Sequence, residues 1–238
     1  MNLPRQENMF AKGGPTFFEL MHQALCSTQR GYDLLAPKFD KTPFRTPDAM
    51  LEAAIRAIAS ADAALDVCCG TGAAMRHLRP VCRHRIVGID FSAGMIEQAR
   101  LKLSNCEGTA RVEFVEADVM QMSFQNEFDL VTCFGGLGHI LPRQKSAFLG
   151  LIHRALKPGG RFVFYSAYPP PLFSVSNIAR RSFNTVMKIR NALLHPPFIM
   201  YYFTFLMPEI ADELSAAGFT VEFRPEVYRE YGLVIATK

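Results

Sequence analysis

The sequence has no tryptophan and only six cysteines, Cys26, Cys68, Cys69, Cys82, Cys106 and Cys133, in 238 residues. The cysteines show no paired metal-site spacing. No resident metal is therefore expected, and the thiols read as reduced groups of a cytoplasmic protein. Long apolar runs are missing too. The longest, Phe198–Met207 with Thr204 inside it, falls short of the about 20 residues that cross a bilayer. The opening MNLPRQENMFAKGG carries no apolar core of the signal-peptide kind. The net charge of +4 is too small to imply nucleic acid by itself. What remains is a soluble chain, at most a visitor to membrane surfaces, whose expected partner is a small molecule.

Hydrophobic residues make up 49% of the chain, enough at this length for one α/β domain with a substantial core. The 20 phenylalanines read mainly as core packing, and otherwise as rings lining a pocket. Strands are expected at Ala63–Cys68, Arg85–Ile89, Arg111–Ala117, Phe128–Phe134 and Arg161–Ser166. Helices are expected near Ala73–Leu78, Ala93–Leu103 and Arg143–Leu156, the last stopped by Lys157-Pro158-Gly159-Gly160. Thr46 and Pro47 suit the N-cap and first position of an earlier helix running to about Ser60. This alternation predicts βαβ units around a buried parallel sheet. A helix around Pro208–Ala217 and strands at Thr220–Tyr228 and Tyr231–Thr237 close the chain as an edge hairpin.

Three acidic or glycine-rich elements at strand ends point to a ligand. Leu65-Asp66-Val67-Cys68-Cys69-Gly70-Thr71-Gly72 runs from a strand through a tight turn into a helix, where glycine lets a ligand approach the backbone. Dinucleotide enzymes use a similar turn but place a third glycine where Met75 stands here, and Asp66 suits a cationic ligand better than a pyrophosphate. Asp90 ends the second strand 20 residues after Gly70, where a carboxylate can accept from both ribose hydroxyls; the alternative is a helix N-cap. Asp118 ends the third strand, placed to accept from an adenine amino group with Phe91 and Val119 flanking the ring.

The stretches LDVCCGTG, VGIDFSAGMIEQAR, FVEADV, FDLVTCFGGLGHI and LKPGGRFVFYS, in this order, resemble the class I S-adenosylmethionine-dependent methyltransferases over roughly residues 60–167. Cys-Cys-Gly-Thr-Gly is similar to the turn of the quinone C-methyltransferases, although Ala73 and the lack of tryptophan depart from their pattern. The resemblance implies a doubly wound, Rossmann-like seven-stranded sheet with its last strand antiparallel, and S-adenosyl-L-methionine as cofactor. It implies that Asp66, Gly70 and Gly72 surround the methionine part, Asp90 the ribose and Asp118 the adenine, with Cys68, Thr71, Phe91, Met95 and Val119 also expected at the cofactor. Tyr32, in a Tyr-Asp-Leu-Leu-Ala-Pro segment, also resembles the start of many small-molecule enzymes of the family, and Lys38 and Arg45 are placed to close the methionine end.

Phe134 and Gly135 open a segment running to Ile140 that is expected to floor the reacting centre, with room for substrate at its glycines. No Asn/Asp-Pro-Pro-Tyr motif stands there, and Cys133 is not beside a proline, so nucleic-acid methylation is disfavoured. His139 is the titratable group placed near the methyl, as a general base or as a histidine hydrogen-bonded at a helix start or against the cofactor. Four parts are read: an N-terminal cap (1–48), a cofactor core (60–167), an insertion (168–207) and a closing helix with hairpin (208–238).

The insertion has Arg180, Arg181, Lys188 and Arg190 and no acidic residue. As a helix from about Val175 to Leu194 it gathers Val175, Ile178, Phe183, Val186, Met187, Leu193 and Leu194 on one side, opposite Arg181 and Lys188. It reads as a cover helix packed by its apolar side, as a lid over a hydrophobic or anionic substrate, or as a membrane-surface contact. Two rival functions stay open: a nicotinamide-dependent oxidoreductase, and a non-catalytic binding module on the same fold.

Overall fold

The computed structural model describes residues 12–58, 60–104 and 106–238; the first part of the expected N-terminal cap, residues 1–11, lies outside them. The described N-terminal part folds as α1 (Phe17–Leu25), α2 (Thr28–Leu35), a 3-10 turn over Ala36–Lys41 and α3 (Asp48–Ile58). Thr16 and Glu19 form a reciprocal capping box at the start of α1, and the Ser27 side chain accepts from the Arg30 N–H at the start of α2. Thr46 does not serve α3 in the way its position suggests. Its hydroxyl donates to the Phe134 carbonyl at 2.8 Å, and the Pro47 carbonyl accepts from the N–H groups of Met50 and Leu51.

Seven strands follow: β1 (Ala61–Val67), β2 (Cys82–Asp90), β3 (Arg111–Glu116), β4 (Phe128–Thr132), β5 (Leu156–Ser166), β6 (Thr220–Tyr228) and β7 (Tyr231–Thr237). Their order in the sheet is β3-β2-β1-β4-β5-β7-β6. The first five pair in parallel, and β7 lies antiparallel between β5 and β6. Alternate residues of each strand bury on opposite faces, so the core has two layers. Ala64, Ile86, Leu130 and Val163 pack with Met50 and Ile58 of α3, with α4 (Ala73–Leu78) and with α5 (Ala93–Leu103). Leu65, Val87, Val131 and Phe162 pack with α6 (Lys145–Ala155) and α8 (Glu209–Ala216), through Phe148, Ile152, Ile210 and Leu214.

The Lys157–Gly160 stretch belongs to β5 and not to a connecting loop. Phe128 pairs with Leu156 and Leu130 with Arg161, so these four residues bulge out of the ladder. Gly159 N–H and Gly160 C=O bond instead to the Lys238 backbone, fixing the end of the chain there.

Between β5 and α8 stands α7 (Val175–Leu193), followed by a return segment without regular structure. Ser166 donates its hydroxyl to the Phe205 carbonyl, and Met207 N–H bonds to the Ala167 carbonyl, pinning the base of the insertion to the end of β5. Its far end reaches α1 and α2: Thr28 N–H bonds to the Pro197 carbonyl, and Ile199 N–H to the Thr28 hydroxyl at 2.7 Å. The strand order reverses between β1 and β4, and the space beyond their carboxyl ends is closed over by the insertion.

Candidate active site

A cavity of about 840 Å³ occupies that space, within the range of small-molecule sites. The turn after β1 forms one wall. Its backbone takes positive φ at Cys68, Gly70 and Gly72 (55°, 52° and 79°), and the N–H groups of Cys69, Gly70 and Gly72 bond to Ile89, Asp90 and Cys69 within the protein. Tyr32, Asp66, Cys68, Gly70, Thr71, Asp90, Phe91, Met95, Asp118, Val119, Phe134, Gly135 and His139 all line the cavity. Gly72 does not. It caps α4, and a Cβ there would lie 2.5 Å from the Leu103 side chain of α5, so glycine is needed for helix packing behind the turn.

Asp90 holds the turn together. One carboxylate oxygen accepts from the Gly70 N–H at 2.9 Å and the other from the Ser92 N–H at 3.0 Å. The N-cap of α5 is Ser92, whose hydroxyl accepts from Met95 N–H. Burial raises the Asp90 carboxyl above the ordinary range, against the pull of the Ser92 and Gly70 N–H groups. Each oxygen keeps a lone pair for a further donor.

Asp66 is buried beside Thr132, its partner in the β1–β4 register, whose hydroxyl donates to it at 2.8 Å. Burial, then the nearby Asp90 charge, push Asp66 up to about 7, with the Thr132 bond opposing. The Cys68 thiol is raised by its hydrogen bond with Cys133 and by burial, so Cys68 is not activated as a nucleophile. A Cβ on Gly136 would fall 2.3 Å from Cys68 Cβ; only glycine lets the loop after β4 pass this turn.

His139 closes the opposite side. Its Nδ1 faces the Ile199 carbonyl, which can only accept, so Nδ1 carries the proton and Nε2 accepts from the Tyr32 hydroxyl at 3.0 Å. Burial lowers the imidazole below its ordinary value and raises the Tyr32 phenol. Phe198 stacks on the Tyr32 ring, with centroids 6.1 Å apart, and Phe39 and Phe91 pack around it.

Arg45 lines the cavity with its Nε buried and without a hydrogen-bond partner among the described residues, while its Nη2 donates to Asp48 at 2.7 Å. Lys38 points elsewhere, paired with Glu19. Sequence reasoning missed Asp40, which accepts from the hydroxyl of Thr71, and Asp33, which accepts from Ser92 Oγ at 2.6 Å and from Gly94 N–H. It also missed Thr132, although the strand-to-strand register put a signal there. Tyr201, Tyr202 and Phe203 of the return segment line the cavity without any motif to mark them.

The family described as "Methyltransferase domain" matches residues 64–160. A demethylmenaquinone methyltransferase of Clavibacter sepedonicus is 38% identical over 125 residues, covering 52% of this chain and 47% of that protein. The chain thus spans about half the length of this relative and of the Staphylococcus epidermidis ones. The demethylmenaquinone methyltransferase of Thermus thermophilus is 32% identical over 168 residues, covering 67% of this chain and 74% of that protein. In fold, the chain resembles DhpI solved with S-adenosylhomocysteine, at a TM-score of 0.65 and 20% identity over 93% of this chain and 98% of that one. On the Thermus match, the family pattern across β1–β5 and the reversed strand order, the chain belongs to the class I S-adenosylmethionine-dependent methyltransferases.

Proposed function

We propose that this chain methylates a small, hydrophobic acceptor using S-adenosylmethionine. The observation that carries the reading is the gathering of Asp66, Asp90 and the Cys68–Gly70 turn at one end of an aromatic-lined cavity. The residues fit that cofactor. Asp90 retains acceptor capacity on both oxygens for a vicinal diol, and exposed Asp118 has an oxygen beyond the one taken by Met120 N–H for an adenine amino group. Phe91, Met95 and Val119 supply apolar walls for a purine. The buried Nε of Arg45, 3.7 Å from Asp40 and without a hydrogen bond among the described residues, suits a carboxylate, and Asp66 suits a cation.

The bound cofactor supplies a methyl already activated on a cationic sulfonium. The protein's own task is therefore alignment and exclusion of water. Tyr32, Phe198 and the return segment form the dry side. His139, neutral with Nε2 as acceptor, takes a proton from an acceptor hydroxyl that displaces the Tyr32 O–H. Relatives named for demethylmenaquinone and for 2-phytyl-1,4-naphthoquinone favour an apolar aromatic acceptor. The six cysteines, all free thiols, suit a reducing compartment such as the cytoplasm.

Calorimetric titration with S-adenosylmethionine, S-adenosylhomocysteine and NAD tests the cofactor. The first two are expected to bind and to weaken about a hundredfold in Asp90→Ala, a charge-assisted loss of roughly 3 kcal/mol. Binding of NAD alone reverses the reading. Labelled-methyl transfer to a prenylated naphthoquinol, against a panel of polar phenols, then tests the acceptor. His139→Gln is expected to keep cofactor affinity and lose about a hundredfold in turnover; unchanged turnover removes the base role.

A further inference from the structure

α7 is amphipathic, but it is mounted the wrong way round for a helix that covers a core. Its apolar residues Val175, Ile178, Val186, Ile189 and Leu193 face solvent, with Val175 84% and Ile178 54% exposed. Only Phe183 and Met187 of the expected apolar side turn inward. The inward face is otherwise polar and fully engaged. Asn177 donates to the Pro170 carbonyl, and Asn184 bonds both N–H and C=O of Tyr202. Asn191 does the same for Phe198, while Arg190 donates to the Ala24, Leu25 and Cys26 carbonyls at the end of α1. These bonds lock the helix in rotation, so the apolar stripe cannot roll inward.

Arg190 also brings a second exposed apolar helix alongside. Phe17, Phe18, Met21 and Leu25 of α1 are all exposed, as are Leu172 and Phe173 before α7. Cations accompany this surface: Arg181 and Lys188 stand exposed on one flank of the α7 stripe, and residues 168–207 contain no Asp or Glu.

We infer that the outward face of α7, with exposed α1 beside it, docks on the surface of an anionic lipid bilayer. An apolar stripe flanked by long basic side chains inserts among acyl chains while the cations reach the headgroups. Anionic lipid supplies the charge that residues 168–207 lack, and the carboxylate of α1, Glu19, is already paired with Lys38. A second copy of the chain does not, because two such faces would bring Arg181 and Lys188 against each other with no carboxylate from the segment. Crossing the bilayer is a different matter: among the described residues no helix is long and apolar enough to do so. The docking does not depend on methyl transfer, since none of the stripe residues lines the cavity.

Vesicle flotation of the full chain tests the inference, using phosphatidylcholine alone and with about 30% phosphatidylglycerol. The chain is expected to float with the mixed vesicles, less at high salt, and weakly with phosphatidylcholine alone. Val186→Glu with Ile189→Glu is expected to lower the bound fraction at least about tenfold. Lys188→Glu should lower it by a smaller factor. Melting temperature and calorimetric S-adenosylmethionine affinity serve as independent controls, so a failed docking face is distinguishable from a failed cofactor site. If the double variant unfolds, Ile178→Glu with Leu193→Glu replaces it. No flotation of the wild type, or equal flotation of the charge-bearing variants, overturns the inference. So does a wild-type dimer in analytical ultracentrifugation that the same variants render monomeric.

Discussion

Two halves of the cavity wall are built on opposite principles. The wall contributed by β1–β4 follows the sheet: apolar residues inward in two layers, acids at strand ends, and a turn of positive φ whose amides bond back to the end of β2 and within the turn after β1. The wall contributed by residues 168–207 is held by side-chain amides and one guanidinium bonded to backbone groups, with Val175, Ile178, Val186, Ile189 and Leu193 of α7 outside. The first is a core that happens to end in a site. The second is a hydrogen-bonded frame whose apolar surface is left for something else. Hydrophobic periodicity identifies a helix in both cases, but it says which side faces in only where the helix lies on a core.

Substitutions can break or sharpen this contrast. The largest effect is expected at the crossing of the two loops in the first wall. Gly136→Val places carbon 2.3 Å from Cys68 Cβ, which forces the turn to move and costs about 3 kcal/mol, or roughly 6–12 °C in melting temperature. A thermal melt unchanged by this variant means the loop is free to shift and the wall is not rigid.

Next in size is the effect of pH on the buried acids. With Asp66 at about 7 in the empty protein, a cationic ligand must first drive off its proton below that pH. Affinity for S-adenosylmethionine is expected to rise with pH, by up to about tenfold per unit below 7, and to level off above it. For stability the sign is opposite. A raised carboxyl pKa favours the fold at low pH, and the advantage is lost as pH rises through about 7. Calorimetry across pH 5.5–8.5, with Asp66→Asn expected to flatten the curve, checks the assignment.

The smallest effects test the second wall by inverting the usual rule. Asn184→Ala removes both bonds to Tyr202 and is expected to cost about 1–2 kcal/mol. Val186→Ser, two positions along and exposed, is expected to stay within about 0.5 kcal/mol. Denaturant unfolding of the pair decides the point. If the valine proves the costlier residue, the face assignment of α7 is wrong.

Much of the first wall could be read from the sequence. β6 and β7, α4 and α5 keep the expected limits, and the acids at 66, 90 and 118 stand at the ends of β1, β2 and β3. Parallel strands buried on both faces leave a continuous apolar signal, and the residues that end them have few roles open to them. Less was legible where one residue has two local uses. Thr46 has the character of an N-cap yet bonds Phe134, and Gly72 sits in the motif yet serves the packing of α5. In each case a neighbour distant in sequence took the group.

Determined by the sequence alone were the class of fold, the order of its elements and the cofactor-family motif, because these depend on periodicity and on short spacings along one strand and turn. The tertiary structure alone decided the rotation of α7, the neutral Nδ1–H form of His139 opposite Tyr32, and the sharing of Asp90 between Gly70 and Ser92. The histidine form is set by contacts across 60 and 107 residues of chain, the rotation of α7 by contacts that span from 7 to 166 residues, and the Asp90 bonds by how the turn after β1 folds back on the end of β2. A local pattern holds no information on which distant carbonyl, hydroxyl or amide will arrive to satisfy a polar group.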